Sequence, residues 1–197
     1  MKSISEDVRR ANRFERRLAV VRKLREIFPD YRGVYKLLNI SLLIMKEFDY
    51  DLDYKRLDFT DEETRKLYRI GRGEQGVLLV RPYTNDICAH WRFKTPKIAM
   101  MSAHTIFDMY LDYLEEKDFI GMDMCRKFLE MGFTRSRRYA NHRDGKKYDE
   151  EGNVIPQEED HATCHFAKSA KIFKSVRDMV AKNDIYVTMR KQWRLSE

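Results

Sequence analysis

The chain has 197 residues, with 39 Lys+Arg against 32 Asp+Glu and a formal net charge of +7. Apolar residues make up 43% and aromatic residues 12%, too much for a disordered chain, and no apolar run approaches a membrane span. Three scattered cysteines, Cys88, Cys125 and Cys164, argue against a secreted disulfide framework, and the first ten residues lack the apolar core of a signal peptide, so a cytoplasmic protein is expected.

Residues 4–28 carry Phe14, Leu18, Val21, Leu24 and Phe28 at helical spacing, with Arg9, Arg13, Arg16, Arg17 and Arg25 opposite. Pro29 ends this element, and residues 31–46 predict a second helix, so that 1–46 forms a basic helical hairpin. In residues 47–54, Phe48, Tyr50, Leu52 and Tyr54 alternate with acidic residues, the period-two pattern of a strand or extended edge. Residues 67–70 and 77–81 predict two short strands joined by the glycine segment at 71–76. Pro82 and Tyr83 then serve as a stop.

Thr95 followed by Pro96 is a good helix start, and the helix is expected to run to Lys117. Asp118 caps the next helix, which passes Met124, Phe128 and Met131 and ends or kinks at Gly132. Gly145, Gly152, Asn153 and Pro156 among acidic residues mark 143–160 as a loop. Residues 166–182 and 184–195 predict closing helices. The expected class is α+β: a mostly helical single domain with a small antiparallel β-hairpin or sheet. Its parts are the hairpin at 1–46, a core at 47–150, and an acidic loop with C-terminal helices at 151–197.

Charge is segregated along the chain. Residues 126–147 hold eight basic and two acidic residues, whereas 149–160 hold six acidic and no basic ones. Such blocks either bind anions or pair with one another. Gly71-Arg72-Gly73-Glu74-Gln75-Gly76 matches a dinucleotide fingerprint by letter, but strand-like residues follow it where a helix is required. It predicts a hairpin turn, or a turn whose N–H groups and Arg72 face a phosphate.

His90-Trp91-Arg92-Phe93-Lys94 interleaves aromatic and basic residues. In extended backbone Trp91 and Phe93 point one way, and His90, Arg92 and Lys94 the other. That arrangement suits base stacking beside phosphate contacts, or equally two core rings flanked by solvated cations. The most concentrated basic stretch holds Arg135, Arg137, Arg138, Tyr139, Asn141, His142, Lys146 and Lys147. In a helix, Arg135, Arg138 and His142 share one face. Arginine forks bind phosphate bidentately, and an imidazole near its ordinary pKa serves as acid or base. The plainer reading pairs this face with the acidic loop. Glu74 and His142 are the acid/base candidates for a reaction. No cofactor is expected. Asp49, Asp51, Asp53, Asp58 and Glu74 offer only a weak Mg²⁺ site, and His161, Cys164 and His165 too few ligands for zinc.

Phe48-Asp49-Tyr50, the run from Leu67 through the glycine segment to Leu78, His90-Trp91-Arg92-Phe93-Lys94-Thr95-Pro96 and the stretch from Met131 to His142 together resemble a family known as domain of unknown function 4385. It occurs in tailed phages, cyanophage relatives among them, and in some bacteria and fungi. The resemblance covers roughly 47–150, with the two ends looking like extensions. Cys88 and Ala89 stand where the family often has Leu-Pro, and Asp144 and Gly145 where it often has a glycine pair. The resemblance implies a phage or microbial cytoplasmic protein and supplies no catalytic residues.

Three functions follow as expectations. The first is a nucleic-acid-binding accessory protein, acting on tRNA or another structured RNA or on DNA. Arg72, His90, Arg92, Lys94, Arg135, Arg137, Arg138, Asn141, His142, Lys146 and Lys147 would contact phosphates, and Trp91 or Tyr139 would stack bases. The second is an enzyme acting on a phosphorylated or nucleotide substrate. The third is a phage protein that binds a host protein.

Overall fold

Thr95 accepts the Ile98 N–H at 3.2 Å, Pro96 takes the first helical position, and a helix follows over Pro96–Glu115. The Asp118 carboxylate accepts the N–H groups of Ile120 and Gly121, opening a helix over Phe119–Asn141. Asn183 does the same for Ile185 and Tyr186. These side chains satisfy backbone donors that a helix start leaves orphaned. The computed structural model describes residues 48–197; the basic helical hairpin expected at 1–46 lies outside the described residues.

In chain order the helices are α1 (Glu62–Arg65), α2 (Tyr83–His90), α3 (Pro96–Glu115), α4 (Phe119–Asn141), α5 (His165–Lys182) and α6 (Asp184–Ser196), with a 3-10 turn at Arg143–Gly145. Helix α4 is the centre, with α3 and α5 packed along it and α2 and α6 against it. From Phe119 to Leu129 every residue of α4 is buried, so that half of the helix is enclosed on all sides. Helix α4 runs unbroken through Gly132, where the sequence predicted an end or kink. A Cβ there would lie 2.4 Å from the Phe173 ring of α5, so glycine is a packing notch that lets two helices approach.

The α+β expectation is overturned. Among the described residues there is no strand, and a lone bridge between Tyr148 and Val154 is the whole of the β pairing. Residues 67–81 are not a hairpin. The chain winds through successive turns instead: the N–H groups of Gln75, Val77 and Leu79 donate to the carbonyls of Arg72, Glu74 and Gly76 at 2.9–3.2 Å. Val77 and Val80 are buried and Leu78 is exposed, a spacing of three that fits turns and not the two of a strand. Where a second strand would pair with 68–71, side chains from the end of α6 do so. The Ile70 N–H donates to Glu197 Oε1 at 2.7 Å, Trp193 Nε1 donates to the Tyr68 carbonyl at 3.2 Å, and Arg194 Nη2 donates to the Gly71 carbonyl at 2.8 Å. All the backbone groups a partner strand would satisfy at these points are already paired.

Residues 48–54 form no strand either. Asp49 Oδ1 accepts the Asp51 N–H at 2.9 Å, an Asx turn that bends the chain. Phe48 and Tyr54 still go inside, their rings stacked at 5.2 Å. Pro82 is no stop: it is the N-cap residue of α2, a helix the sequence analysis missed.

Candidate nucleic-acid interface

The glycine segment is a tightly wound hub. Gly71, Gly73 and Gly76 all take positive φ, the left-handed region that glycine enters at least cost. At Gly76 a Cβ would strike the Phe48 ring at 2.1 Å, so this position admits no side chain. Arg126 Nη2 donates to the Gly73 carbonyl at 3.2 Å from below, while Gln75 Oε1 accepts the Arg72 N–H at 2.7 Å. The turn is thereby held in place, with the Arg72 side chain exposed.

Between this turn and α4 lies a cleft of about 530 Å³ lined by Tyr50, Arg72, Glu74, Gln75, Met131 and Arg135, among others. The fold thus brings together three residues singled out by sequence, Arg72, Glu74 and Arg135. Glu74 Oε2 accepts the Thr134 hydroxyl at 2.7 Å, which fixes the carboxylate against α4. The guanidinium groups of Arg72 and Arg135 make no hydrogen bond or ion pair among the described residues, and neither does that of Arg138, exposed one turn beyond Arg135. Tyr50 is 49% exposed and stands edge-on to Phe48 at 5.1 Å.

The rest of the basic stretch splits. Arg137 donates to the His161 carbonyl at 2.9 Å and to Asn141 Oδ1 at 2.6 Å. The Asn141 carbonyl accepts the Glu158 N–H at 2.9 Å, and Arg143 lies 3.9 Å from Glu158. These groups fasten the acidic loop to the end of α4. His142 is not on the Arg135–Arg138 face: α4 ends at Asn141, and His142 has extended backbone. It is buried, and its Nδ1 makes no hydrogen bond. Thr134, which holds Glu74, is eight residues before it, about 12 Å along the helix axis at 1.5 Å per residue. Glu74 and His142 therefore do not meet as an acid/base pair.

The aromatic–basic segment is largely occupied. Trp91 Nε1 donates to the Phe128 carbonyl at 3.1 Å, and its ring packs on Phe93 at 5.1 Å. Arg92 folds back onto the carbonyls of Cys88 and Trp91. His90 and Lys94 are exposed. Tyr139 is 37% exposed, between Phe93 and Phe166. Lys146 is exposed, and Lys147 lies 5.3 Å over the Tyr148 ring. Among the described residues no three His, Cys, Asp or Glu side chains converge on a metal-binding geometry. Asp49, Asp58 and Glu74 have other work: the first two accept backbone N–H groups and the third the Thr134 hydroxyl.

Sequence reasoning missed the charged cluster inside α4. Asp123 accepts from Tyr68, Tyr186 and Arg126, all buried. Burial pushes the Asp123 carboxyl up, but the charges of Arg126 and Lys127 and the bonds from Arg126 and Tyr186 prevail and hold it well below the usual carboxylate range. Lys127 Nζ is fully buried, 3.7 Å from Asp123, and faces the rings of Phe48 at 5.1 Å and Tyr68 at 4.9 Å. It makes no hydrogen bond, and desolvation brings its pKa down to about 7, against the partial support of Asp123. The signal available was Asp123-x-x-Arg126-Lys127, one carboxylate with two cations at helical spacing inside an apolar run.

A family comparison covers nearly all of the described residues: the model for Domain of unknown function (DUF4385) matches residues 49–196. The chain belongs to this family. The match takes in α5 and α6 as well as the stretch whose motifs resemble the family in sequence. No curated protein and no solved structure matches the chain. Among the described residues no helix is long and apolar enough to cross a membrane.

Proposed function

We propose that this DUF4385 chain is a nucleic-acid-binding accessory protein of phage or microbial origin, acting in the cytoplasm on tRNA or another structured RNA. The observation that carries the reading is the set of guanidinium groups at one cleft that have no partner among the described residues, Arg72 and Arg135 on its walls and Arg138 one helical turn on. An unpaired arginine at a concave surface is free to fork onto a phosphate, whereas Arg92 and Arg137 are spent on backbone and loop. Tyr50 offers a half-exposed ring at the same cleft for stacking. Lys94, Lys146 and Tyr139 extend the surface. The test is fluorescence polarisation of nuclease-treated protein against labelled tRNA, single-stranded RNA and duplex DNA over a salt series. Sub-micromolar binding of RNA is expected. The log–log salt slope should fall by about one for each of Arg72, Arg135 and Arg138 changed to Ala. Salt-independent binding, or full binding by the triple variant, overturns the reading.

A second reading is an enzyme on a phosphorylated or nucleotide substrate. It is favoured by Glu74, a carboxylate oriented by Thr134 in the cleft that Arg72 and Arg135 line. His142 has no part in it. Turnover abolished by Glu74→Gln in a protein that still folds would move the assignment to this reading.

A further inference from the structure

On the other side of the glycine turn the chain forms a second concavity, a groove of about 540 Å³ between α4, α5 and α6. Five cationic side chains line it: Arg126, Arg177, Arg190, Lys191 and Arg194. Among the described residues no carboxylate does. Val187 and Leu195 add apolar wall.

The carboxylates that hold three of these arginines stand behind them. Arg126 pairs with Asp123, Arg177 with Glu130 and Asp178, and Arg194 with Glu197, and the side-chain exposures of those carboxylates are 0%, 16%, 36% and 0%, none of them on the groove lining. The groove surface is therefore positive even where the charges are formally balanced. Arg126 is fixed in advance. Its Nε donates to Asp123 at 2.9 Å and to the Tyr186 hydroxyl at 2.8 Å, Nη2 goes to Gly73, and Nη1 makes no hydrogen bond among the described residues. Its side chain is nine-tenths buried. Arg190 and Lys191 make no hydrogen bond or ion pair among the described residues. They share one face of α6 with Val187 and Arg194, three and four residues away.

Among the described residues, the charge left over is that of two cations without a partner beside one preorganised guanidinium. That suits a dianion better than the single charge of a phosphodiester. A phosphate monoester carries about −1.5 to −2 near pH 7. The volume is within the range of a small-ligand site and takes one nucleotide, with base or sugar against the apolar wall. Arg126 and Arg194 hold the carbonyls of Gly73 and Gly71, so the groove and the Arg72 cleft flank one turn. A strand whose end sits in the groove can pass its next phosphates to Arg72.

We infer that the groove lined by Arg126, Arg190, Lys191 and Arg194 is a terminal-phosphate site, which takes the phosphate monoester of a nucleotide at the end of an RNA strand. This rests on the nucleic-acid reading, but the two fail separately. The experiment uses the full chain and short 3′-labelled RNAs with a 5′-phosphate or a 5′-hydroxyl, followed by fluorescence polarisation, with adenosine monophosphate titrated alone by calorimetry. The 5′-phosphate strand should bind about tenfold tighter or more. In Arg190→Ala/Lys191→Ala, two side chains with no hydrogen bond or ion pair among the described residues, that ratio should fall to about one, while binding of the 5′-hydroxyl strand changes little. In Arg72→Ala/Arg135→Ala/Arg138→Ala both strands should weaken together and the ratio persist. Equal binding of the two strands by the unmodified protein overturns the RNA-end assignment. If adenosine monophosphate then binds and the double variant abolishes that binding, the monoester site stands with free nucleotide as its source. If it does not bind, the site falls altogether. Failure of the 5′-hydroxyl strand to bind at low salt would instead remove the proposed nucleic-acid function, leaving the nucleotide titration to decide the groove.

Discussion

In the first half of α4, Asp123 and Lys127 are sealed at 0% exposure and Arg126 at 8%, within reach of two tyrosine hydroxyls and two aromatic faces. Two to four turns further along the same helix, half-buried Arg135 and exposed Arg138 have no partner among the described residues. The residue types are alike and the helix is continuous. What differs is the company: the first half is enclosed on all sides by α3, α5, α6 and the folded-in 48–70 segment, whereas the second half packs against α5 and the acidic loop on one side and carries Arg135 and Arg138 on the other. Charge in the first half fixes the fold, because a buried ion tolerates only one arrangement of partners. In the second half Arg137 is spent on the acidic loop, while Arg135 and Arg138 keep charge that no described residue balances and that the proposed function assigns to phosphates.

The comparison breaks most directly at Asp123. Removing its carboxylate in Asp123→Ala leaves Arg126 buried and uncompensated and two tyrosine hydroxyls without an acceptor. A loss of about 3–5 kcal/mol is expected in urea unfolding; a loss near zero would mean that the buried ions are not structural. The boundary between the halves is Gly132. Gly132→Ala gains up to about 1 kcal/mol in helix propensity, but its methyl would meet the Phe173 ring at 2.4 Å. Overpacking of about 1–3 kcal/mol wins, and thermal melting should show a net fall in Tm.

Lys127 sharpens the contrast through pH. Its folded-state pKa of about 7 lies below its ordinary 10.5. Between those values the unfolded chain holds a proton that the folded chain does not, so folding stability rises with pH through that window. Below pH 7 both states are charged and the penalty is present in full. Unfolding curves of the natural protein and Lys127→Met at pH 6 and pH 9 should therefore show the variant's relative advantage shrinking at the higher pH. The same difference at both pH values would place a charged lysine there throughout. The smallest expected stability effect belongs to the second half. Arg138→Ala should change stability by no more than about 0.5 kcal/mol while lowering the salt slope of RNA binding by about one.

Helix starts were legible because their physics is local. Thr95 with Pro96, Asp118, and the apolar spacing of 166–182 carry their information within a few residues. The strands expected at 67–70 and 77–81 were misread because a run of Tyr68, Ile70, Val77 and Val80 is apolar for burial, whatever its backbone pairing. The bonds that settle it come from Trp193, Arg194 and Glu197, more than 120 residues away. For the interface, the residue types were readable and their sorting was not. Nothing in the sequence near Arg137 says that it is consumed by the His161 carbonyl while Arg135 is not. The α6 face of Arg190, Lys191 and Arg194 was available as a helical pattern, but its meaning depends on Arg126 arriving from another helix.

The side chains of α6 that close onto residues 68–71 have a consequence for the order in which the protein is made. Ile70 and Gly71 leave the ribosome 123 to 127 residues before the partners of their backbone groups. At about 5–20 residues per second that is a wait of roughly 6–25 s. Throughout it the glycine turn lacks the partners that α6 brings, and once Lys127 has emerged the Asp123 cluster waits a further 59 residues for Tyr186, one of its donors, with its polar interior open to water.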